Sequence, residues 1–363
     1  PYTEPAYYQE KKKADLGELR NYGDWTGLLK KLLTAPDICS KKWIYEQYDH
    51  MVGLNTVMRP GGDAALLRLP GDRKGLALSC DCNARLVYLD PFKGGAIAVA
   101  EAARNVAVSG AKPLALTNCL NFGNPENPDI YWQFVRATDG LAEAARELDT
   151  PVTGGNVSFY NEYNGQAIMP TPTIGMFGLL DDIANRVTAD FKNDGDLVML
   201  VGATREELGA SEAHFLLTGR DEGEVPAIDL KEARRLNDFL VEAAKSKILA
   251  SAHDCAEGGL AVALAESCLA GNIGARLNWK SEVSAAAAFF GESQSRVVLS
   301  LAEKNLAAVE TLAKKYDLPV SVLGRVGGDV FSLKIGDDKI EATVAELAAL
   351  YNDSLEAMSI LST

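Results

Sequence analysis

One segment of the chain, residues 94–108, is rich in alanine and apolar almost all the way round a helical wheel. A helix without a polar face must be covered on several sides, so this segment predicts a buried helix inside a layered domain. Runs with strand character flank it at residues 75–80 and 113–120, and an amphipathic pattern over 129–148 leads to further strand-like runs at 151–159 and 172–179. This alternation predicts an α/β (α+β) fold.

A charged stretch at residues 181–196 separates this alternation from a second one, which begins with the apolar run 197–201. The chain has 363 residues, a length that suits two domains. We therefore predict a polar, helical leader segment over residues 1–45 that wraps the first domain, an N-terminal domain over 46–184 and a C-terminal α/β domain over 185–363. Residues 64–69 and 85–89 are interpreted as short strands of the first domain.

The charge and the apolar content exclude two classes of function. The formal net charge is −14, which argues against a large nucleic-acid interface because such an interface needs clustered lysine and arginine. No apolar run approaches the roughly 18 residues of a membrane span, and the first residues lack a signal-peptide pattern. The six scattered cysteines favour buried, reduced thiols in a cytoplasmic protein. The chain starts without methionine, so we expect a fragment or a processed protein.

The most informative local pattern is Thr153-Gly154-Gly155-Asn156-Val157-Ser158, at the end of a predicted strand. Adjacent glycines let backbone N–H groups approach a ligand, because no Cβ intervenes. On an extended backbone, Asn156 and Ser158 point to the same side of the strand. The pattern is compatible with a corner that binds a nucleotide, a metal ion and a substrate, and equally with a strand that ends in a polar turn.

Two further clusters have the same ambiguity. Asp81 to Arg85, followed by Asp90 to Gly95, combines polar residues with a Gly-Gly turn that opens a helix, which suits either a phosphate site or a helix capped by Asp90. Residues 117–126 place Asn118, Asn121 and Asn124 after a strand, where ligands bind in open sheets or where asparagine serves a turn.

The three histidines are interpreted as structural. His253-Asp254 precedes Gly258-Gly259 and could be an acid/base or metal pair, but a hydrogen-bonded histidine beside a helix cap is favoured. His50 and His214 lack the partner pattern of a nucleophilic triad. Residue types alone therefore indicate a two-domain protein that binds a phosphate-bearing ligand.

Taken in order, the motifs resemble one family, the synthetase chain of phosphoribosylformylglycinamidine synthase, and specifically its C-terminal half. The resemblance covers nearly the whole chain from about residue 40. The matching segments, each quoted from this sequence, are Ser40 to His50, Arg59 to Ala65, Asn83 to Gly95, Ala100 to Ala107, Gly110 to Ala115, Leu120 to Glu126, Gly155 to Glu162, His253-Asp254 with Gly258 to Leu260, and Phe290 to Glu292 with Arg296.

The resemblance implies an ATPase-type N-terminal domain whose strands join a central barrel when two such units pair. The family's relatives include aminoimidazole ribonucleotide synthetase and selenophosphate synthetase. The implied reaction is the ATP-dependent conversion of formylglycinamide ribonucleotide and glutamine-derived ammonia to formylglycinamidine ribonucleotide. The implied partners are the N-terminal synthetase half or a second copy, a glutaminase subunit or domain, and a small phosphoribosyl substrate, with no nucleic acid and no membrane.

By position, the resemblance implies that Asn118 and Gly155 contact ATP, that Asn156 binds Mg²⁺ and that Ser158 contacts the substrate. It implies no catalytic residue in this half, since the family's catalytic histidine lies in the first unit. Asn118 stands where the family usually has aspartate, so it brings one negative charge fewer and contacts a ligand through amide hydrogen bonds instead. Two alternatives stay open: a catalytically incomplete scaffold that binds a nucleotide, and a stand-alone relative such as aminoimidazole ribonucleotide synthetase.

Overall fold

The computed structural model describes residues 2–361, with side chains as far as residue 358. Four short helices come first. They are α1 (Ala6–Lys11), α2 (Gly17–Arg20), α3 (Trp25–Leu33) and α4 (Lys42–Tyr45).

Next comes a mixed six-stranded sheet with its helices. Its strands are β1 (Thr56–Met58), β2 (Ala65–Arg68), β3 (Gly75–Asp81), β4 (Lys112–Asn121), β5 (Val152–Ser158) and β8 (Thr171–Leu180), with a small hairpin, β6 (Glu162–Tyr163) and β7 (Gln166–Ala167). The helices are α5 (Ala84–Leu89), α6 (Pro91–Val108) and α7 (Pro128–Glu147). The strand order is β1-β2-β3-β8-β4-β5.

Helix α6 is buried, as its composition predicts. Valines and alanines such as Val99, Ala103 and Val106 pack against Ile174 and Met176 on one face of the sheet. Helix α7 packs against α6 and connects β4 to the parallel strand β5. Gly140 is required where the two helices touch, because a Cβ there would lie 1.9 Å from the carbonyl oxygen of Phe92.

Residues 85–89 are helical, so the prediction of a strand there is wrong. The Asn83 side chain accepts a hydrogen bond from the backbone N–H of Leu86 and caps α5. The apolar run suggested a strand, but in the helix Leu86 and Leu89 point into a small apolar cluster with Ile97 and Val225.

The following residues form a second sheet, of seven strands, with its own helices. Its strands are β9 (Leu197–Val201), β10 (Ser251–Asp254), β11 (Ala275–Trp279), β12 (Val297–Leu301), β13 (Val320–Val326), β14 (Val330–Ile335) and β15 (Asp338–Thr343). Its helices are α8 (Glu212–Thr218), α9 (Leu230–Lys245), α10 (Gly259–Gly271), α11 (Ala285–Phe290), α12 (Leu306–Lys315) and α13 (Val344–Leu361). The strand order is β10-β12-β9-β13-β11-β14-β15. The mixed α/β class predicted from the sequence is thus confirmed.

Residues 2–45 contact both halves of the molecule, whereas the sequence predicts a leader that wraps the first domain. In α1, Tyr7 stacks on Tyr88, and the Tyr8 hydroxyl donates to Asp90 at 3.2 Å. Helix α3 lies on the second half, where its buried leucines join a core with Phe289 and Phe290. The apolar stripe of α3 gave no information on which domain it would cover.

Candidate functional site

Strand β5 forms one edge of the first sheet and is open to solvent. It pairs with β4 on one side only. Residues 152–157 are all exposed, and only Ser158 at its end is partly covered. An exposed edge carries unpaired N–H and C=O groups that readily pair with another chain or a ligand. The Gly-Gly pattern therefore lies on an accessible surface rather than in the apolar interior.

The parallel register with β4 brings two of the clusters from the sequence together. Asn118 lies opposite Gly155, Cys119 opposite Asn156, and Asn121 opposite Ser158. Because side chains alternate along a strand, Asn156 and Ser158 point to one face while Asn118 points to the other. Asn118 shares its face with Leu116 and Leu120, which pack toward the helices. The four predicted site residues thus meet at one edge but on two faces.

Gly155 has a steric reason of its own to be glycine. A Cβ at this position would lie 2.2 Å from Asn118 Oδ1 and 2.6 Å from the Asn118 backbone oxygen. At Gly154 a Cβ would meet only Thr117 Oγ1, at 3.8 Å. The close approach of β5 to Asn118 depends on the missing side chain of Gly155.

The carboxyl ends of β4 and β5 are tied together by Asn161, which follows β5. Its Nδ2 donates to the backbone oxygens of Phe122 at 3.0 Å and Ser158 at 2.9 Å. The same amide lies within 3.2–3.3 Å of the Ser158 hydroxyl. Residues 121–126 and 158–162 therefore form one polar corner, as expected where adjacent parallel strands end.

A second polar feature is a cleft of about 620 Å³ between the two sheets, with residues 37–42 and Tyr45 of the leader along one wall. His253, on β10, donates from Nδ1 to Asp63 Oδ1 (2.7 Å) and from Nε2 to Glu266 Oε2 (3.1 Å). Burial alone disfavours a charged ring, but Asp63 raises the pKa of His253 well above its usual value. The ring is therefore the cationic bridge between two carboxylates.

Deeper in this cleft, Arg104 lies 3.1 Å from Glu101 and 3.2 Å from Asp254. Burial, and then the negative charge of Glu257, raises the pKa of Asp81 well above its usual value, and burial likewise raises that of Asp254 to about 7. Crowded carboxylates of this kind take up protons or a cation. The cleft is thus a second candidate site, suited to a ligand that carries positive charge.

One set of residues in this cleft has ligand atoms close enough to share a metal ion, namely Asp63, His253 and Asp254, within 4.8 Å of one another. Both ring nitrogens of His253 already have carboxylate partners, so the group holds together through its own hydrogen bonds. The sequence offered the adjacent pair His253-Asp254 as one alternative, but it gave no sign of Asp63, which comes from a distant segment. The one sequence feature that pointed to a buried polar cleft was the pair of charged residues, Glu101 and Arg104, inside the otherwise apolar helix α6.

The remaining sequence candidates have structural roles. Asp90 caps α6 by accepting a hydrogen bond from the Lys93 N–H. Of the two interpretations of this segment, a phosphate site or a capped helix, the cap is the one observed. His253 is hydrogen-bonded as predicted, but Asp254 pairs with Arg104 and the residue that caps α10 is Gly258. His214 is buried, with Nε2 3.4 Å from Glu222. All six cysteines are free, but only Cys39, Cys255 and Cys268 are buried.

None of the described helices combines the length and the hydropathy that a bilayer crossing demands.

Comparison with known proteins fits this architecture. Residues 61–180 match the family model of the AIR synthase related protein, N-terminal domain, and residues 193–335 match that of its C-terminal domain. The phosphoribosylformylglycinamidine synthase subunit PurL of Moorella thermoacetica is 47% identical over 98% of this chain, which spans 48% of that relative.

Solved structures show the same fold. Thermotoga maritima PurL, solved with FGAR, superposes with a TM-score of 0.73 at 20% identity, over 89% of this chain and 53% of that one. The same protein solved with ATP gives a TM-score of 0.64 at 16% identity, over 95% and 52%. This chain thus spans about half the length of these PurL proteins. With both domain models matched in order and close similarity to PurL along nearly its whole length, the chain belongs to the AIR synthase related family.

Proposed function

We propose that this chain is the second half of the synthetase in phosphoribosylformylglycinamidine synthase, an ATP-dependent C–N ligase of purine biosynthesis. The substrates are formylglycinamide ribonucleotide (FGAR), ATP and ammonia released from glutamine. The product is formylglycinamidine ribonucleotide. The proposal is supported by 47% identity to a PurL subunit, of which this chain spans 48%.

The observation that carries the proposal is the open edge of the first sheet. Strand β5 exposes Gly155 and Asn156, and its free edge offers backbone groups to a second unit. A half-length chain with an uncovered strand at its candidate site fits a site completed by a sister module. We propose that the N-terminal half, or a second copy of the chain, pairs there and that the strands of both units close a barrel.

The reaction needs positioning more than a strong nucleophile. The amide oxygen of FGAR attacks the γ-phosphorus of ATP, ADP leaves, and ammonia then adds to the activated carbon and displaces phosphate. In this scheme Gly155 and Asn118 hold the nucleotide and the Ser158 hydroxyl holds the substrate. The catalytic acid–base groups come from the other half.

Asn156 suits Mg²⁺ only as one ligand among several. Its amide oxygen is neutral, and strand β5 carries no carboxylate. Magnesium ions in such sites keep waters and take one or two carboxylates together with phosphate oxygens. The remaining ligands would therefore come from the nucleotide, from water and from the sister module. When bound there, the ion supplies charge neutralisation on the phosphoryl group being transferred.

The domain limits of 46–184 and 185–363 remain part of the proposal, as do a cytoplasmic location and a glutaminase partner that delivers ammonia. The two matched models, over 61–180 and 193–335, and the two separate sheets support a division between the halves. The close similarity to PurL along 98% of the chain supports this function over that of a stand-alone relative such as aminoimidazole ribonucleotide synthetase.

A reconstitution experiment tests the function. The chain is co-expressed with a separately encoded first half, and the complex is verified by light scattering. We expect FGAR- and ammonia-dependent ADP formation from the complex and none from either half alone. A verified complex that binds ATP and magnesium but never turns over would favour the scaffold alternative and reject the proposal.

A further inference from the structure

We infer that Asn161 is a positioning residue that orients the Ser158 hydroxyl toward the substrate. The inference rests on the proposed role of Ser158. It concerns a residue that has no role in the sequence-based site, and it follows from hydrogen bonds at the corner where β4 and β5 end.

The contacts of Asn161 converge on that corner. Its Nδ2 lies 3.0 Å from the Phe122 oxygen, 2.9 Å from the Ser158 oxygen and 3.2 Å from Ser158 Oγ. Its Oδ1 accepts from Ser158 Oγ at 3.3 Å. Its backbone N–H donates to Phe122, and its carbonyl accepts from Ile168. Both backbone and side chain are thus held, which leaves the amide little freedom to turn.

A fixed amide next to a hydroxyl restricts the direction of the hydroxyl hydrogen. When Ser158 Oγ donates to Asn161 Oδ1, its lone pairs are left to accept from a substrate N–H or O–H. When Oγ accepts from Nδ2, its hydrogen is free to donate to a substrate oxygen. A serine hydroxyl that rotates freely would lose that rotational freedom when the substrate binds, so the contact would add less to the affinity.

The location of Ser158 makes the orientation useful. Ser158 is the only partly covered residue of β5 and points to the same face as Asn156, the proposed magnesium ligand. Asn161 lies behind it and contacts both strands. A change at Asn161 is therefore expected to act on substrate binding through Ser158 rather than on the nucleotide.

The test is a double-mutant cycle in the reconstituted two-half enzyme, with Ser158→Ala, Asn161→Ala and the double variant. We expect each single change to raise the KM for FGAR by about tenfold, the size of one hydrogen bond, with the KM for ATP changed by less than about twofold. The double variant should be no worse than either single variant, because both remove the same contact. Asn164→Gly, at the exposed turn of the neighbouring hairpin, serves as the control and should leave both KM values unchanged.

Asn161→Asp covers the case in which the alanine variant folds poorly. It keeps an oxygen that accepts from Ser158 Oγ, so its KM for FGAR should rise less than that of Ser158→Ala. Additive effects in the cycle, an unchanged KM for FGAR in Asn161→Ala, or a KM in Asn161→Asp as high as in Ser158→Ala would each overturn the inference. Absence of turnover in the unmutated complex would instead reject the proposed function, so the two failures are distinguishable.

Discussion

At the scale of single residues, Gly155 fixes the path of β5 through the side chain it lacks. We predict that Gly155→Ala lowers the free energy of unfolding by about 1–3 kcal/mol, because its Cβ would overlap with Asn118. Urea unfolding would measure the loss. Gly154→Ala is the matched control, since its Cβ meets only Thr117 at 3.8 Å. Equal stability of the two variants would mean that β5 moves away from β4 without cost.

Asn156 is exposed, so its role in a ligand site can be separated from folding. We predict that Asn156→Ala weakens magnesium-dependent ATP binding in the assembled enzyme about tenfold, because one oxygen ligand is lost. Its free energy of unfolding should change by less than about 0.5 kcal/mol, as for other exposed positions. Calorimetric titration would measure the binding. Asn278→Ala, on an exposed face of β11, is the control and should leave magnesium-dependent ATP binding unchanged.

The buried Glu292 gives the molecule a specific pH dependence. Its Oε1 accepts from the N–H groups of Glu212 and Gly258, and burial raises its pKa from 4.5 to about 8. Between these values the folded state keeps a proton that the unfolded state has lost, so ionisation of Glu292 makes stability fall as pH rises.

We therefore predict that Glu292→Gln, which keeps an oxygen acceptor, reduces the loss of folding stability as pH rises. From about pH 4.5 to 8 its stability should rise relative to the unmutated chain, by up to about 1.4 kcal/mol per pH unit. Urea unfolding across that range would measure the difference. Parallel stability curves for the two proteins would show that Glu292 is ionised in the folded state.

At the scale of secondary-structure elements, the free edge of β5 is the feature on which assembly depends. Val157 is 50% exposed on this strand. We predict that Val157→Lys prevents association with the first half while the chain itself stays folded, because a lysine on an edge strand opposes pairing. Light scattering of the mixture would report the complex. Val322→Lys is the control, since Val322 is 43% exposed on the other sheet and should leave association intact.

Most of the elements follow from local patterns. Apolar runs identified strands such as β3, β4 and β9, the amphipathic period identified α7, and the all-round apolar composition identified α6. The pattern failed for α5, where a short apolar run has no period long enough to separate helix from strand, and the Asn83 cap decided it. Strand β15 was not predicted, because Ile340 and Ala342 are its only apolar residues, although its burial alternates along the strand.

The site was predictable only in part, for a reason of register. Local sequence indicates that residues 118, 155, 156 and 158 lie near strand ends. It cannot indicate that Asn118 and Gly155 pair directly, or that Asn118 points away from Asn156, because both depend on the bulge where β5 shifts against β4. The cleft around His253 was predictable only as far as the adjacent pair His253-Asp254, since Asp63 and Glu101 join that pair only after both sheets have formed.

At the scale of the whole molecule, Arg85 joins the two halves. From α5 it contacts Glu212 at 2.5 Å and Asp221 at 2.9 Å, and its guanidinium lies 4.1 Å from the centre of the Phe215 ring. We predict that Arg85→Met lowers the free energy of unfolding by about 3–5 kcal/mol, because the buried Glu212 loses its counter-charge.

Thermal and urea unfolding would measure that change. The control is Arg73→Met, whose side chain is 81% exposed beside Asp182 and should alter stability by less than about 0.5 kcal/mol. A loss for Arg85→Met as small as that of the control would mean that the contact between the halves rests on apolar packing alone.

The position of α3 also has a consequence for how the chain is made. Trp25 donates to Asp338, and Lys30 pairs with Glu346, so part of the surface that covers this helix is encoded more than 300 residues later. At about 5–20 residues per second, a ribosome needs tens of seconds to reach it. During that interval the native cover of Leu28, Leu29 and Leu32 is incomplete, which makes the nascent segment around α3 a natural client for a chaperone and a place where interrupted translation would expose an apolar surface.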